Sequence, residues 1–588
     1  MTRTRRPHDT TPQQAAVRPS PGALLALAAT LLSGWLLMGP VLGAMTTQVL
    51  GAYDSEAGWH IWRHAAYLRT FADPSPWIHL PEHGARNPGA ANLFPGSTLL
   101  SWPFYALAGG GLRGVALSWN ALHLLALLGG ALGTWASVRL WLAEDPGRFA
   151  AGAATAIVAA GAYLQEFPDV GRLETLHQLL YPLHLAALLW TTQRPRQLLP
   201  LLACTASFAL MAMQGGFPAL FLAIIEPPVA LWCLVRSDDR RWSAVALGLT
   251  AGAGALALWP WIDAHQTWPS PALQGREGEI SVALAQLLPG GRDIPFPRGY
   301  HVTPYPGVVA LAAATAAALR DRSSRVWLLI AILAGCFAVG PELRWTPSGP
   351  LWATGPVGLL RDAFDWPIPS TGWSRIGTWF PTLLAMAAAP LLVGRPRVAV
   401  ALALGACVDQ LSFAPAWRHT EAAWVLPPAQ ELRPLLDEHT VWVPFDDRSL
   451  TWIQTREDPA LRRYPIQESM ELGTLRYLDR LVPGHASGFR GLARRGPVPP
   501  PPSPACVVQD LRALSASGYA WLAFVGDRVD DDTLSKATQP ILAGVGEPTL
   551  RSARGMAWRL SGDWPDMGVC TESRPQPQRP PRHPPGGR

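Results

Sequence analysis

The chain has 588 residues, of which 49% are hydrophobic and only 15% charged, with a formal net charge of +6. Soluble domains carry about 25% charged residues, so a chain this long and this poor in charge is not a string of ordinary soluble domains. The basic excess is nearly all Arg, with one Lys at Lys536; many of these Arg residues sit in short loops between apolar runs, which speaks for membrane topology rather than nucleic-acid binding.

In chain order, a basic tail (1–22, with Arg3, Arg5, Arg6 and Arg18) precedes an apolar run at 23–45. That run is long for a signal-peptide core and lacks a clean small-residue cleavage site, so it reads as a retained first helix. Ten further runs follow, at 115–140, 149–164, 176–190, 198–213, 217–235, 244–262, 308–319, 326–340, 379–393 and 398–411. The expected fold class is mainly α, a polytopic helical membrane protein of about eleven spans. The 27 Trp residues suit membrane interfaces. With the N-terminus in the cytoplasm, loops 191–197, 236–241, 320–325 and 394–397 are short and net basic, as cytoplasmic loops should be. Loop 143–148 balances Arg148 against Glu144 and Asp145 and decides nothing. The outer segments are then 46–114, 165–175, 263–307 and 341–378. Within the first, residues 94–110 carry two prolines and end in glycines, and read as a re-entrant or surface piece.

After residue 411 the chain turns polar. A strand at 439–446, a helix leading into a strand over 510–525 and a hairpin over 549–560 predict a small extracytoplasmic α/β domain at 412–570, with a Pro-rich linker at 494–505. The Pro/Arg-rich tail 571–588 reads as disordered. Cys204, Cys233, Cys336 and Cys407 lie in apolar runs and read as small core residues. Cys506 and Cys570 lie in the polar region and would pair if it faces an oxidising compartment.

The chemistry-bearing residues cluster outside the spans. Asp54 and Glu56 follow the first run directly. They suit a general base, or ligands for a divalent ion that neutralises a phosphate leaving group; alternatively Asp54 caps the following helix and Glu56 is a favourable first-turn acid. His60 and His64 continue the Glu56 face at helical spacing, either as a metal or proton-handling stripe or as the solvated side of an interfacial helix. Glu174 stands at the rim of a span, as a second site acid or an ordinary rim charge beside Arg172. Glu226 lies inside a span, where an acid is costly and marks function by default; Pro227 and Pro228 are expected to break the helix there. Arg276, Arg292, Arg298 and Arg375 suit phosphate binding or structural ion pairs. No Walker A loop, GxGxxG, GxSxG or HExxH occurs, so ATP-driven transport, nicotinamide chemistry and serine hydrolysis gain no support.

This layout resembles the GT-C superfamily of multi-pass glycosyltransferases. The resemblance rests on a cytoplasmic tail, one span, a large first outer loop opening on Tyr53-Asp54-Ser55-Glu56, about ten more spans and an outer C-terminal domain. More narrowly, DxExxWHIW at 54–62, NxxxxNLFPG at 87–96, GRLE at 171–174, the Arg375 segment, WVPFD and GYAWLAFV look like a group of uncharacterised bacterial multi-pass membrane proteins related to that superfamily. The resemblance implies transfer of a sugar from a polyprenyl-phosphate carrier to an envelope glycan, lipid or protein acceptor, at the outer face of the bacterial inner membrane. It would make Asp54 the base, Glu56 its neighbouring acid, Glu174 a second acidic position and Arg375 a lipid-phosphate contact. Arg298 and Arg292 would join Arg375 at the phosphate, with His60 and His64 supporting. The one cofactor such chemistry would call for is a divalent metal ion. The rival readings are a transporter or flippase of a lipid-linked envelope component, and a non-catalytic membrane assembly protein.

Overall fold

The first helix is polar inside and apolar outside. α1 (Pro21–Met38) turns Gly22, Ala26, Thr30, Ser33 and Leu37 inward, while Leu24, Leu27, Leu31, Leu32 and Trp35 are exposed. In water that would leave the largest apolar groups unburied. Against lipid it is favourable, because small and hydroxylic residues let helices approach closely while large ones meet acyl chains. Exposed Leu198, Leu199, Leu202, Leu249 and Leu256 continue this apolar surface on other helices.

The computed structural model describes residues 21–39, 41–50, 64, 68, 95–142, 147–165, 180–213, 216–267, 283–288, 305–346, 351–364, 373–413, 422–424, 440–444, 503–516, 518–525, 531–552, 555–560, 564, 567, 568 and 570. Every one of the eleven apolar runs is a helix: α1, then α3 (Gly111–Leu142), α4 (Gly147–Gln165), α5 (Tyr181–Gln193), α6 (Leu198–Ala212), α7 (Gly216–Arg236), α8 (Arg240–Thr267), α9 (Val308–Arg320), α10 (Arg322–Ala338), α12 (Phe380–Leu392) and α13 (Pro396–Phe413). Among the described residues, 21–38, 113–142 and 219–236 are long and apolar enough to cross a bilayer. Two further helices lie outside the eleven runs. α2 (Pro95–Leu107) has 13 residues with Pro103 inside it, about 20 Å of helix. α11 (Pro356–Phe364) follows the antiparallel hairpin of β2 (Glu342–Arg344) and β3 (Leu351–Thr354).

The bundle is organised around α4, an Ala/Gly-rich helix buried on all sides from Ala150 to Ala160. It packs against α1, α3, α12 and α13. Gly152 lies against the Gly22 backbone of α1, and Gly161 against the Pro381 ring of α12. A side chain at either position would collide, so these glycines set how closely the helices approach. Gly133 of α3 likewise meets the backbone of Pro182 and Leu183.

Two expectations are corrected. Pro227 and Pro228 do not break α7, which runs from Gly216 to Arg236 through both; inside a packed bundle, neighbouring helices stabilise a helix that has lost backbone donors. Of the cysteines in spans, Cys204 and Cys233 are buried, but Cys336 is exposed and Cys407 half-buried. A thiol facing acyl chains costs no more than one in a core.

Beyond α13 lies a small α/β unit. β5 (Thr440–Pro444) pairs in parallel with β6 (Trp521–Val525), and β6 pairs antiparallel with β8 (Gly555–Arg559), which pairs antiparallel with β7 (Leu550–Ser552). α14 (Pro504–Ala516) lies in sequence between the parallel strands, as a parallel connection requires. It packs on α15 (Asp531–Val545) over a core of Val507, Leu511, Leu514, Leu522, Phe524, Ile541, Met556 and Trp558. Cys506 and Cys570 are joined in a disulfide. The tail 571–588 and most of the linker 494–505 lie outside the described residues.

Candidate active site

The segment leading to Asp54 is fixed by α3. The first strand, β1 (Gln48–Leu50), is anchored by two adjacent residues of that helix. The Leu50 N–H donates to Asn120 Oδ1 (2.9 Å), and Trp119 Nε1–H donates to the Leu50 carbonyl (2.7 Å). Asn120 Nδ2 donates to the carbonyls of Gln48 (2.7 Å) and Met45 (3.0 Å). One buried amide thus serves three backbone groups that a wider sheet would otherwise satisfy. The other edge of β1 pairs antiparallel with β4 (Ala422–Trp424), just after α13. Asp54 is the fourth residue beyond this anchor.

Further along the same loop, His64 and Leu68 are both buried, one helical turn apart, against the α3 face formed by Val115, Ala116 and Trp119. The hydrogen bonds fix the His64 tautomer. Ser118 Oγ donates its only proton to the Val115 carbonyl (3.0 Å). It therefore accepts from His64 Nε2–H at 2.9 Å, which leaves Nδ1 a buried lone pair with no partner. Burial, with His123 contributing, pushes the His64 imidazole down to about 3, so it is neutral near pH 7. His64 and His123 lie on either side of Trp119, at ring-centroid distances of 5.7 and 4.9 Å. The sequence reading put His64 on either a metal stripe or a solvated face. It is not solvated: the residue is buried and hydrogen-bonded to α3.

A second anchor joins two other candidate segments. Tyr181, which opens α5, stacks on Trp379 with ring centroids 3.9 Å apart and planes 8° from parallel. Trp379 closes the 3-10 turn Trp373–Trp379, whose backbone carries Arg375. Trp373, Ile376 and Trp379 are buried and tie the turn to Phe221 and Phe337. The stack joins the start of α5 to the turn that carries Arg375; Glu174 lies seven residues before Tyr181 in sequence. The segment carrying Arg292 and Arg298 is held at its far end. Tyr305 donates to Asp409 Oδ1 (2.7 Å), and the Val309 N–H donates to Asp409 Oδ2 (3.0 Å). Burial, together with this bond to Asp409, raises the Tyr305 hydroxyl to about 12.

Asp54, Glu56, His60, Glu174, Arg276, Arg292 and Arg298 themselves lie outside the described residues, and Arg375 is described in its backbone alone. Among the described residues no three His, Cys, Asp or Glu side chains stand together as a metal site. The sequence reading passed over Ser118, Trp119, Asn120 and His123. Their only signal was polarity, S-W-N-x-x-H in an otherwise apolar helix.

No family model matches the sequence, and no curated protein sequence matches it either. Among solved structures, the chain is similar to ArnT from Cupriavidus metallidurans in the apo state, at 14% identity and a TM-score of 0.47, covering 92% of this chain and 98% of that one. It is also similar to the same protein bound to undecaprenyl phosphate, at 14% identity and a TM-score of 0.38, covering 92% and 99%.

Proposed function

We propose that this chain is an inverting glycosyltransferase of the bacterial inner membrane that moves a sugar from a polyprenyl-phosphate carrier to an envelope acceptor on the outer face. The observation that carries the reading is the fixed start of the acidic loop. Asp54 and Glu56 follow within a few residues of a backbone segment held by Asn120 and Trp119, at the bundle end where β1 meets β4. Positioning to within about an ångström is what a general base requires.

In this reaction Asp54 takes the proton of an acceptor hydroxyl, and the hydroxyl oxygen attacks the anomeric carbon. The bond from that carbon to the phosphate oxygen breaks, and the polyprenyl phosphate leaves with the electron pair. Arg375, Arg298 and Arg292 offer the leaving phosphate positive charge, Glu174 stands as a second acid, and the neutral His64 supports the loop. A divalent ion, if used, would draw its ligands from Asp54, Glu56 and His60 and would neutralise phosphate charge. The flippase alternative drew on the many spans and on an intramembrane acid, Glu226, whose carboxylate lies 3.0 Å from His184 Nε2.

The test is transfer of labelled sugar from a polyprenyl-phosphate donor in membranes containing the protein. Asp54→Asn should lose about 10²–10⁴-fold in rate at unchanged protein level, and undiminished transfer would sink the proposal.

A further inference from the structure

Glu226 has no part in the reaction proposed above, yet it is hydrogen-bonded within the bundle to His184, which is bonded in turn to Ser207. Ser207 lies nine residues from the start of α6 and Glu226 ten from the end of α7, roughly 14 and 15 Å of helical rise. Those two helix ends lie together, tied by Ser237 Oγ to the Thr192 carbonyl and Thr191 Oγ1 to the Pro200 carbonyl. The cluster is therefore near the middle of a hydrocarbon layer about 30 Å thick.

We propose that His184 and Glu226 form an intramembrane proton site, a pair that holds one shared proton and latches α5 to α7. The hydrogen-bond inventory sets the count. Ser207 Oγ gives its only proton to the Cys204 carbonyl at 3.0 Å, so it accepts from His184 Nδ1–H, also at 3.0 Å. With Nδ1 occupied, the 3.0 Å line from His184 Nε2 to Glu226 Oε1 carries a single proton, whichever atom binds it. Removing it sets two lone pairs against each other in a site where His184 is fully buried. The two helices could then stay paired only by importing another donor.

The surroundings distinguish this from a simple structural brace. Glu226 Oε2 and the Tyr181 hydroxyl are both buried and make no hydrogen bond. A polar network built only for rigidity satisfies such groups. Among the described residues, Tyr181, Cys204 and Cys233 face Glu226 electrostatically besides His184. Phe208 closes the His184 ring from α6, with centroids 5.3 Å apart. Tyr181 is also the residue stacked on Trp379, so the latch lies one helical turn from the turn that carries Arg375.

The proposal stands apart from the transferase reading and is tested without turnover. Full-length protein in lipid nanodiscs is compared by infrared difference spectroscopy. The band lost in Glu226→Gln is the Glu226 carboxyl signal. It should change frequency in His184→Gln, because the shared proton has lost one of its two holders; an unchanged Glu226 band overturns the proposal. A melting-temperature cycle covers the case in which a single variant folds poorly. Each single substitution should lower the midpoint by several degrees, and His184→Gln with Glu226→Gln should cost clearly less than the sum, since two amides can pair across the same gap. Additive losses, or no losses, overturn the latch.

Discussion

Asn120 is the residue that holds the end of β1, four residues before Asp54 in sequence. Its amide acts as a strand neighbour would, taking the Leu50 N–H and serving the Gln48 and Met45 carbonyls. Asn120→Ala leaves those buried groups unpaired, at about 1–3 kcal/mol for each. It should lower the melting point and also cut sugar transfer with Asp54 intact, which thermal unfolding and turnover check together. His64 adds a pH dependence. Its ordinary value is 6.5 and burial takes it down to about 3, so between those values the unfolded chain binds a proton that the folded one refuses. The stability it allows is complete above about pH 6.5 and falls as the pH drops towards 3. His64→Gln keeps a donor for Ser118 and has no such titration. Its melting point should fall less steeply between pH 7 and 4 than that of the parent. At this scale the sequence marks candidates but not what holds them. Asp54, which lies outside the described residues, stands out as an acid soon after an apolar run. Asn120 does not, because a polar residue in an apolar helix shows its purpose only once its partner, seventy residues earlier, is seen beside it.

Helices were the legible scale because lipid imposes a simple rule: a stretch that crosses must satisfy its own backbone and be apolar throughout. All eleven runs form helices, three of which, among the described residues, are long and apolar enough to cross. What runs of apolar residues conceal is which face packs: α1 exposes Leu24, Leu27, Leu31, Leu32 and Trp35 while burying Gly22, Ala26, Thr30 and Ser33, whereas α4 is buried on all sides. Two glycines separate packing from propensity. A Cβ at Gly152 would meet the Gly22 backbone, whereas one at Gly248 meets nothing. Alanine is favoured over glycine in a helix by about 1 kcal/mol, so Gly248→Ala should be neutral or slightly stabilising. Gly152→Ala must push α1 away from α4 and should lower the melting midpoint by several degrees. Equal effects at the two sites would mean that α4 is not the close-packed centre. The Pro227–Pro228 pair illustrates the converse error. Local chemistry favours a break, but the packing of α7 on α5, α6, α8 and α10 holds the helix through it.

At the scale of the whole molecule, one strand pair and one hydrogen bond show which described elements share an end of the bundle, without reference to charge. β1 follows α1, β4 follows α13, and the two pair antiparallel. Tyr305, just before α9, is bonded to Asp409 near the end of α13. Leu50, Tyr305 and Ala422–Trp424 therefore lie at one end of the bundle. A single measurement of sidedness then fixes all three. The Cys506–Cys570 disulfide closes a 64-residue separation and belongs in an oxidising compartment, which agrees with the basic loops at the other end of the spans. In intact cells, a membrane-impermeant maleimide should label this pair only after an impermeant reductant has opened it. A cysteine placed at exposed Arg395, between α12 and α13, should stay unlabelled until the cells are broken. The opposite pattern would put Asp54 in the cytoplasm and remove the basis for chemistry on an outward-facing lipid-linked sugar. Opening the disulfide should also destabilise the small α/β unit by about 2–5 kcal/mol, because it ties the first turn of α14 to the chain beyond β8. The helical bundle, whose core shares no residue with that unit, should melt unchanged.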